Sequence, residues 1–421
     1  MQQDLRAPQQ AHPEGLFAVG NPVSHWSVFS IKPVQYEVRI SEDLLAVDNT
    51  AILEDVAATG RPRRFVVVDS VVHDLYGERI RTYLDHHGVD YRILTLRAGE
   101  GHKDLEGVQQ VAAGLDEFGI DRRREPVIGI GGGVLLDIVG MACSLYRRGT
   151  PHIRIPTTLI GLVDAGVGAK TGVNAGGHKN RMGTYFPASR TLLDRTFLTT
   201  LDDRHISNGL AEILKIGLIK DARLFELLER HGSELLRTKL QRPSGTEADH
   251  LVQAPAGQRL TLQEHVLDPA TEVIQRAVQG MLEELQPNLW EQVLERVVDY
   301  GHSFSPTVEM HALPELLHGE AVTVDMALST VLAERRGLVD ASQRARVLRV
   351  MDELGLPTWH PSCTPEVLVP ALRDTVRHRD GAQRLPLPLG IGGAVFVNDV
   401  SEEELVAAVD DLAGLQPGAA R

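Results

Sequence analysis

Residues 126–140 read PVIGIGGGVLLDIVG, in which one apolar run ends at three consecutive glycines and a second apolar run follows at once. The first run has the composition of a buried β-strand, and the second predicts a helix that begins near Val134. Glycines at such a junction let backbone N–H groups approach a pyrophosphate, which the helix N-terminus also attracts. Because Val134 stands where G-x-G-x-x-G has its third glycine, a dinucleotide site and a purely structural turn are equally good interpretations of this stretch alone.

Strand patterns recur on both sides of this glycine turn, with helical patterns between them. They are RFVVVD (64–69), YRILTL (91–96) and HIRIP (152–156). Alternating strands and helices are typical of a parallel sheet covered by helices. Asp69, at the end of the first of these strands, is a candidate for the ribose of a dinucleotide, although aspartate at a strand end is also a common turn former.

Long amphipathic patterns replace the strand rhythm from about residue 205 onward, which predicts a mostly helical second half. We therefore expect a Rossmann-like α/β domain over 1–204, with 1–30 as a poorly ordered or peripheral extension. A mostly helical domain follows over 205–421, with a surface loop near 242–260. The active site should lie between the two halves.

Composition narrows the functional class. The chain has 421 residues, a formal net charge of -14 and 43% hydrophobic residues, which suits a globular protein and disfavours nucleic-acid or membrane-surface partners. Only Cys143 and Cys363 are present, outside any CxxC pattern, so the sequence favours a reducing cytoplasm over a disulfide framework. Neither an export signal nor a membrane span is predicted.

Basic and amide side chains are dense within residues 146–180, YRRGTPHIRIPTTLIGLVDAGVGAKTGVNAGGHKN. The members that suit phosphate binding are Arg148, Lys170, Asn174, Lys179 and Asn180. In an otherwise acidic protein, this cluster indicates an anionic small molecule. The alternative is a solvated loop whose lysines serve solubility.

A metal site is suggested by residues of the second half. Glu212 and Lys215 are three apart on one predicted helix and share a face, which by itself indicates no more than an ion pair. His302 and His318 each precede a helical pattern, whereas His311 lacks a comparable setting. Two imidazoles and one carboxylate would hold a catalytic ion with positions left open for substrate, although a lone histidine is more often structural.

Nine segments, in order over roughly residues 60 to 390, together resemble the sugar phosphate cyclases, the superfamily of 3-dehydroquinate synthase. They are GEGHK (99–103), GGGVLLD (131–137), YRRG (146–149), PTT (156–158), VDAGVGAKTGVN (163–174), HKN (178–180), GLAEILK (209–215), DYGHSF (299–304) and HGEAV (318–322). The resemblance implies that the 1–204 domain binds NAD, that the 205–421 domain binds the substrate and one divalent ion, zinc or cobalt, and that the protein is a homodimer.

The family's site residues carry over position by position. The metal ligands implied are Glu212, His302 and His318. The implied NAD contacts are Asp69, Glu100, Lys103, Gly132, Gly133, Asp137, Thr157, Thr158, Lys179 and Thr200. The implied substrate contacts are Arg148, Asp164, Lys170, Asn174, Asn180 and Lys215.

Departures from the pattern indicate the branch. Asp299 replaces an asparagine of the dehydroquinate synthases, and Pro306 replaces a histidine that touches phosphate in them. The cations that clamp the substrate carboxylate in that family fall on Met281 and Glu295, so a carboxylate should be repelled. Asp299 can instead accept a hydrogen bond from a hydroxyl. His378 is a further candidate substrate contact, with Arg377 as the alternative if the alignment slips by one residue.

Three segments together resemble the 2-epi-5-epi-valiolone synthase branch of aminocyclitol biosynthesis: QGMLEELQPNLWE (279–291), DYGHSFSP (299–306) and RHRDGAQRLPLP (377–388). That branch acts as a phosphate-eliminating lyase on sedoheptulose 7-phosphate, by transient oxidation with NAD, elimination, reduction, ring opening and aldol closure. The alternatives are 3-dehydroquinate synthase and other sedoheptulose 7-phosphate cyclases. A polyol or glycerol-type dehydrogenase is less favoured, because those enzymes use Asp where Glu212 stands and need no phosphate pocket. A non-catalytic sensor would be favoured only if a metal ligand were missing.

Overall fold

The computed structural model describes residues 15–19, 25–54, 62–97, 99–176, 178–241 and 268–416. The chain divides into a short unit up to Tyr36 and a large unit from Glu37 onward. The short unit contains one antiparallel hairpin, inside the predicted N-terminal extension. The surface loop predicted near 242–260 lies outside the described residues.

The described strands follow the predicted alternation in the first half and add three two-stranded antiparallel pairs. The strands are β1 (Gly15–Val19), β2 (His25–Phe29), β3 (Glu37–Ile40), β4 (Arg63–Asp69), β5 (Asp90–Leu96), β6 (Val127–Gly131), β7 (His152–Pro156), β8 (Lys170–Ala175), β9 (His178–Tyr185), β10 (Arg190–Leu193), β11 (Leu385–Pro388) and β12 (Ala394–Val397). The antiparallel pairs are β1-β2, β8-β9 and β11-β12.

The described helices cover the sheet and then make up most of the second half. They are α1 (Ser70–His86), α2 (Leu105–Phe118), α3 (Gly133–Leu145), α4 (Asp203–Ile219), α5 (Ala222–Thr238), α6 (Pro269–Leu285), α7 (Ser305–His311), α8 (His318–Arg335), α9 (Ala341–Glu353), α10 (Pro365–His378) and α11 (Glu402–Gly414). None of the helices in the described part of the chain combines the length and the apolar character needed to cross a membrane.

Six strands form one parallel sheet in the order β3-β10-β7-β6-β4-β5. From β4 the chain moves outward to β5 and then returns to β6 on the other side, so the strand order reverses between β4 and β6. Ligands of such sheets bind beyond the carboxyl ends of the strands at this reversal. Asp69 ends β4 and the glycine turn ends β6, so the predicted NAD residues lie where this rule expects a ligand.

All five residues of β6 are buried, which explains why its sequence is a continuous apolar run without alternation. The helices from α4 onward share one apolar core, in which α4 and α8 are buried over most of their length. The predicted fold class, a Rossmann-like α/β part followed by a mostly helical part, is confirmed. The domain boundary at 204/205 stays a prediction; it falls just inside α4.

Candidate active site

The glycine turn presents bare backbone at the end of β6. A Cβ on Gly131 would lie 3.0 Å from the Asp69 Cβ, and one on Gly132 would lie 3.2 Å from the Thr158 Cγ2. Gly132 precedes α3 in an extended conformation. Thr157 donates its backbone N–H to the Gly131 carbonyl at 3.0 Å, which joins the segment after β7 to the turn. A side chain would fill this space, so the turn fits a group that packs against backbone, such as a pyrophosphate.

Asp69 lies at the start of α1, and Thr200 contacts the same helix. Asp69 caps α1, since its Oδ1 accepts from the Val71 N–H at 2.9 Å, and burial raises the pKa of this carboxyl. Its turn-forming role is therefore observed, and the ribose contact stays a prediction. The Thr200 hydroxyl lies 3.2 Å from the hydroxyl of Tyr76 on α1.

Four predicted site residues form one hydrogen-bonded network around a buried lysine. Lys103 is 6% exposed, and its Nζ lies 2.6 Å from both Asp137 Oδ2 and Asn180 Oδ1. The Asn180 N–H donates to Asn174 Oδ1 at 2.9 Å, and Asn174 Nδ2 donates to Glu100 Oε1 at 2.8 Å. These contacts, which we call the lysine network, join α3, the antiparallel β8–β9 ribbon and the segment before α2. They lie beyond the carboxyl ends of the strands.

The three predicted metal ligands converge. Glu212 of α4, His302 and His318 each offer one ligand atom, and these atoms lie within 4.8 Å of one another. Glu212 Oε1 is 3.7 Å from His302 Nε2 and 3.5 Å from His318 Nε2. This oxygen is buried and accepts no hydrogen bond. A buried carboxylate oxygen without a donor, facing two imidazole nitrogens, fits a divalent ion with nitrogen and oxygen ligands.

Hydrogen bonds at Nδ1 orient both imidazoles. His302 Nδ1 lies 3.1 Å from the Tyr300 carbonyl, and His318 Nδ1 lies 3.2 Å from Glu309 Oε2. Because a carbonyl and a carboxylate only accept, Nδ1 must carry the proton in each ring, which leaves the lone pair on Nε2. Burial, with the Lys215 charge, lowers the pKa of His302 to about 3 and keeps that ring neutral. Burial alone would lower the pKa of His318, but Glu309 and Glu212 raise it overall.

Glycine lets α8 approach α4 closely enough to bring His318 to Glu212. The Gly319 N–H donates to Asn208 Oδ1 at 2.5 Å, and a Cβ on Gly319 would lie 2.0 Å from the Asn208 carbonyl oxygen. Asn208 and Glu212 are four residues apart and share one face of α4. The glycine in HGEAV is therefore a helix-packing position beside the ligand.

A buried aspartate holds the turn that carries His302. Gly301 has φ +74°, and Asp325 Oδ2 accepts from the N–H groups of Phe304 and Ser305 at 2.5 and 2.8 Å. Burial raises the pKa of Asp325 to about 6. These contacts anchor the turn to α8, so that the backbone around His302 is defined on both sides.

The remaining residues of that stretch have structural roles. Pro306 stands in the first turn of α7, where the missing N–H costs no helical hydrogen bond. His311 ends α7, is exposed, and pairs its Nδ1 with the Thr307 carbonyl at 2.8 Å. It is not part of the metal-ligand group, as the sequence predicts.

Substrate-facing candidates surround the metal ligands. Lys215 is 2% exposed, and its Nζ lies 2.5 Å from Glu212 Oε2. Burial alone would lower the pKa of Lys215, but the charges of Glu212 and Asp164 raise it overall. Asp164 lies in a π-helical turn, close enough for its charge to act on Lys170 and His302 as well.

Lys170 belongs to a chain of alternating charges, which we call the Lys170 charge chain. Its members Glu291, Arg296 and Arg379 are not predicted from the sequence. Its ammonium pairs with Glu291, which also pairs with Arg296, and Arg296 donates two hydrogen bonds to Asp299 at 2.6 and 3.2 Å. Arg379 lies 3.7 Å from the Asp299 carboxylate. The sequence around Glu291, Arg296 and Arg379 lacks periodicity. Only the density of charged residues near Asp299 could have indicated that these side chains belong to the site.

The pKa of Lys170 is lowered to about 8 by burial and by the Arg296 charge, against the opposing charges of Asp299 and Asp164. Its side chain is nevertheless 58% accessible to solvent. Water therefore reaches the ammonium, and screening weakens these interactions.

Glu309 was also missed. It is 4% exposed and pairs both with His318 and with Lys179, the latter predicted as an NAD contact. Lys179 Nζ is also 3.7 Å from Glu100 Oε1. Burial alone would raise the pKa of Glu309, but the hydrogen bonds and charges of His318 and Lys179 lower it to about 2.

Arg148 is not brought to this cluster within one chain. It is exposed and follows α3, whose 13 residues span about 20 Å from the glycine turn. The chain then enters β7, and the Pro151 carbonyl accepts from the Val127 N–H at the amino ends of β6 and β7. Arg148 therefore lies toward the end of these strands that is opposite to the glycine turn.

The cations around Asp299 come from positions other than 281 and 295. Met281 is buried in the core, and Glu295 pairs with Arg384 at 3.4 Å, so neither position offers a cation. Arg296 and Arg379, however, bring positive charge to Asp299 itself. Arg296 is three residues from Asp299 and within reach of local sequence reasoning, whereas Arg379 is far away in the sequence and its contact depends on how the chain folds back.

The segment at the end of α10 is only partly described. The side chain of His378 lies outside the described residues. Arg377, the alternative, is 77% exposed and pairs with Asp374 at 3.0 Å. Of the three consecutive residues 377–379, Arg379 is the one with a described contact to Asp299.

Comparison with known proteins agrees with this architecture. The family model described as 3-dehydroquinate synthase N-terminal matches residues 93–208, and the one described as 3-dehydroquinate synthase C-terminal matches residues 209–376. The chain belongs to the 3-dehydroquinate synthase family. The metal-ligand group, the glycine turn and the lysine network all lie within these matches or at their edge.

Individual members of this family differ in their similarity to the chain. A 2-epi-5-epi-valiolone synthase from Actinoplanes sp. is 60% identical over 384 residues, which are 91% of this chain and 92% of that protein. A 3-dehydroquinate synthase from Prochlorococcus marinus is 31% identical over 91% of this chain and 97% of that protein.

A solved structure supports the same placement within the family. ValA, a 2-epi-5-epi-valiolone synthase from Streptomyces hygroscopicus subsp. jinggangensis 5008 with NAD+ and Zn2+ bound, superimposes with a TM-score of 0.84 at 53% identity. The match covers 93% of this chain and 100% of that one.

Proposed function

We propose that this chain is a sugar phosphate cyclase that converts sedoheptulose 7-phosphate into 2-epi-5-epi-valiolone and inorganic phosphate. The observation that carries the proposal is the convergence of Glu212, His302 and His318 beside Lys215 and the Lys170 charge chain, in a protein 60% identical to a 2-epi-5-epi-valiolone synthase. The reaction belongs to the assembly of C7 aminocyclitols.

NAD and one divalent ion, zinc or cobalt, complete the site. NAD supplies a reversible hydride acceptor, and the ion supplies positive charge for a substrate oxygen. The glycine turn and Asp69 would receive NAD, and Glu212, His302 and His318 would hold the ion. The lysine network would hold the β8–β9 ribbon beside the cofactor, with Thr157, Thr158, Lys179 and Thr200 as further contacts.

The chain's own residues then bind and orient the sugar phosphate. Lys170 and Asn180 provide charge-assisted donors for the phosphate that leaves, with Asn174 aligning Asn180 through the hydrogen bond between them. Lys215 offers a buried ammonium group next to the metal ligands, and Asp164 offers a carboxylate whose charge acts on that ammonium. These two groups would hold or pass a proton at the reacting carbon atoms.

Asp299 makes the site suitable for a hydroxylated substrate rather than a carboxylated one. Its carboxylate already occupies Arg296 through two hydrogen bonds, so a substrate carboxylate would have to compete with it for that cation. A like-charge contact in a partly desolvated site costs several kcal/mol, enough for discrimination of about a thousandfold. His378 remains a proposed further contact to the substrate.

A homodimer in the cytoplasm is part of the proposal. Because Arg148 lies toward the amino ends of the strands of its own sheet, away from the glycine turn, it can contact substrate only in the site of a second copy. Both cysteines are buried and unpaired, which suits a reducing compartment. Light scattering should give twice the mass of one chain; a monomer that cyclises at full rate would remove Arg148 from the site.

The deciding experiment compares two substrates with one purified protein. We expect sedoheptulose 7-phosphate to release phosphate and yield a cyclitol of the mass of 2-epi-5-epi-valiolone, without net formation of NADH. The carboxylated heptulosonate phosphate of 3-dehydroquinate synthases should react about a thousandfold more slowly or not at all. Comparable turnover of both, or dehydroquinate as product, would assign the chain to another branch, and steady accumulation of NADH would indicate a dehydrogenase.

A further inference from the structure

We propose that Glu309 is a positioning residue for the metal site, which fixes His318 in the metal-binding orientation and ties it to the β8–β9 ribbon through Lys179. The inference rests on the proposed metal centre. Glu309 is 4% exposed; its Oε2 lies 3.2 Å from His318 Nδ1, and its Oε1 forms the ion pair with Lys179.

The first step concerns the tautomer of His318. An ionised carboxylate can only accept a hydrogen bond, so its contact with Nδ1 requires the proton on that atom. The lone pair is then on Nε2, the nitrogen that faces Glu212 Oε1 at 3.5 Å. Without this acceptor the ring can rotate or place its proton on Nε2, and both changes remove a ligand. Loss of such a carboxylate partner weakens metal affinity by about 10- to 100-fold in other histidine sites.

The second step concerns the charge on Glu309. A buried carboxylate is stable only when its charge is compensated. Lys179 provides that compensation at Oε1, from the strand whose next residue, Asn180, accepts from Lys103. One continuous set of polar contacts therefore leads from the lysine network near the glycine turn to a metal ligand.

A consequence is that Lys179 should influence metal affinity although it does not touch the ligand group. Removing its ammonium leaves Glu309 with His318 as its other described hydrogen-bond partner and removes this contact between α7 and the ribbon. The same substitution would also remove the predicted NAD contact, so metal binding has to be measured with NAD in excess to isolate the first effect.

The test measures metal binding directly, by competition of zinc with a chromophoric chelator and by the absorption spectrum of the cobalt-loaded protein. The variants are Glu309→Gln, Glu309→Asp and Lys179→Met, with His311→Ala as the matched control on the same helix. We expect Glu309→Gln to weaken zinc binding about 10- to 100-fold and to change the cobalt spectrum. Lys179→Met should weaken binding less, Glu309→Asp should recover part of the loss, and His311→Ala should match the unsubstituted protein.

A folded Glu309→Gln variant with unchanged zinc affinity and an unchanged cobalt spectrum would overturn the proposal. If that variant fails to fold, Lys179→Met and Glu309→Asp decide: unchanged affinity in both would equally overturn it, and weakening in both would support it. Failure of the proposed function is a separate result, because it appears in the unsubstituted protein as absence of cyclisation or of stoichiometric metal.

Discussion

Two imidazoles in this site have their Nδ1 atoms held by acceptors of different kinds. His302 uses the backbone carbonyl of Tyr300, whereas His318 uses the carboxylate of Glu309. A carbonyl acceptor keeps its place whatever side chain it carries, and a carboxylate can be lost in one substitution. The two rings look equivalent as ligands, yet only one depends on a distant side chain for its orientation.

Lys170 is the residue on which phosphate departure should depend most. Replacing Lys170 with Met should lower turnover by at least about a hundredfold, the usual effect of removing one electrostatic contact to a developing charge. Lys170→Arg keeps the charge and serves as control. Turnover of the Met variant near that of the unsubstituted protein would indicate a solvated lysine instead.

The same residue predicts a pH dependence. A lysine is charged below its pKa, so with a value of about 8 Lys170 loses its charge as pH rises through this range. We expect kcat/KM, which reports on the free enzyme, to fall above pH 8. In Lys170→Arg, whose guanidinium stays charged, this decline should disappear. An identical decline in both proteins would assign it to another group.

At the scale of elements, the contact between α4 and α8 positions the metal ligands. Gly319→Ala would place a methyl group 2.0 Å from the Asn208 carbonyl oxygen, so the helices must separate. We expect a loss of about 1–3 kcal/mol in the free energy of unfolding, together with weaker metal binding, because His318 moves with α8. Gly414→Ala, where no atom lies within 4 Å, is the matched helical control.

Chemical denaturation and metal titration of both glycine variants check this prediction. A Gly319→Ala protein as stable as Gly414→Ala, with full metal content, would mean that α8 relaxes without moving its first residue.

At the scale of the whole molecule, the metal should contribute to stability because its ligands come from three separate segments. An ion that binds only the folded state stabilises it by RT ln(1 + [L]/Kd), about 4 kcal/mol at a thousandfold excess over Kd. Chelation should therefore lower Tm by several degrees. The double variant His302→Ala, His318→Ala should already have the lower Tm and should not respond. A response in that variant, or its full metal content by elemental analysis, would exclude this ligand set.

Local sequence determined the strand-turn-helix units, the glycine turn and the helical second half, because apolar periodicity and glycine act over a few residues. The ordered motifs determined the family and, through it, Glu212, His302 and His318 as the ligand set, which the folded chain brings together. His311 could likewise be left out of the ligand set, because its sequence setting differs from those of His302 and His318, and Pro306 marked a departure from the 3-dehydroquinate synthases.

Only the tertiary structure decided which charged groups far apart in the sequence pair with one another. Glu309 lies 130 positions from Lys179, and Arg379 lies 80 positions from Asp299, so no local pattern relates them. Arg148 is close in sequence to the glycine turn, but α3 carries it toward the amino ends of the strands, away from that turn. Sequence patterns report the neighbours of a residue along the chain, whereas ion pairs, orientation of imidazoles and access to a site depend on packing between elements far apart in the sequence.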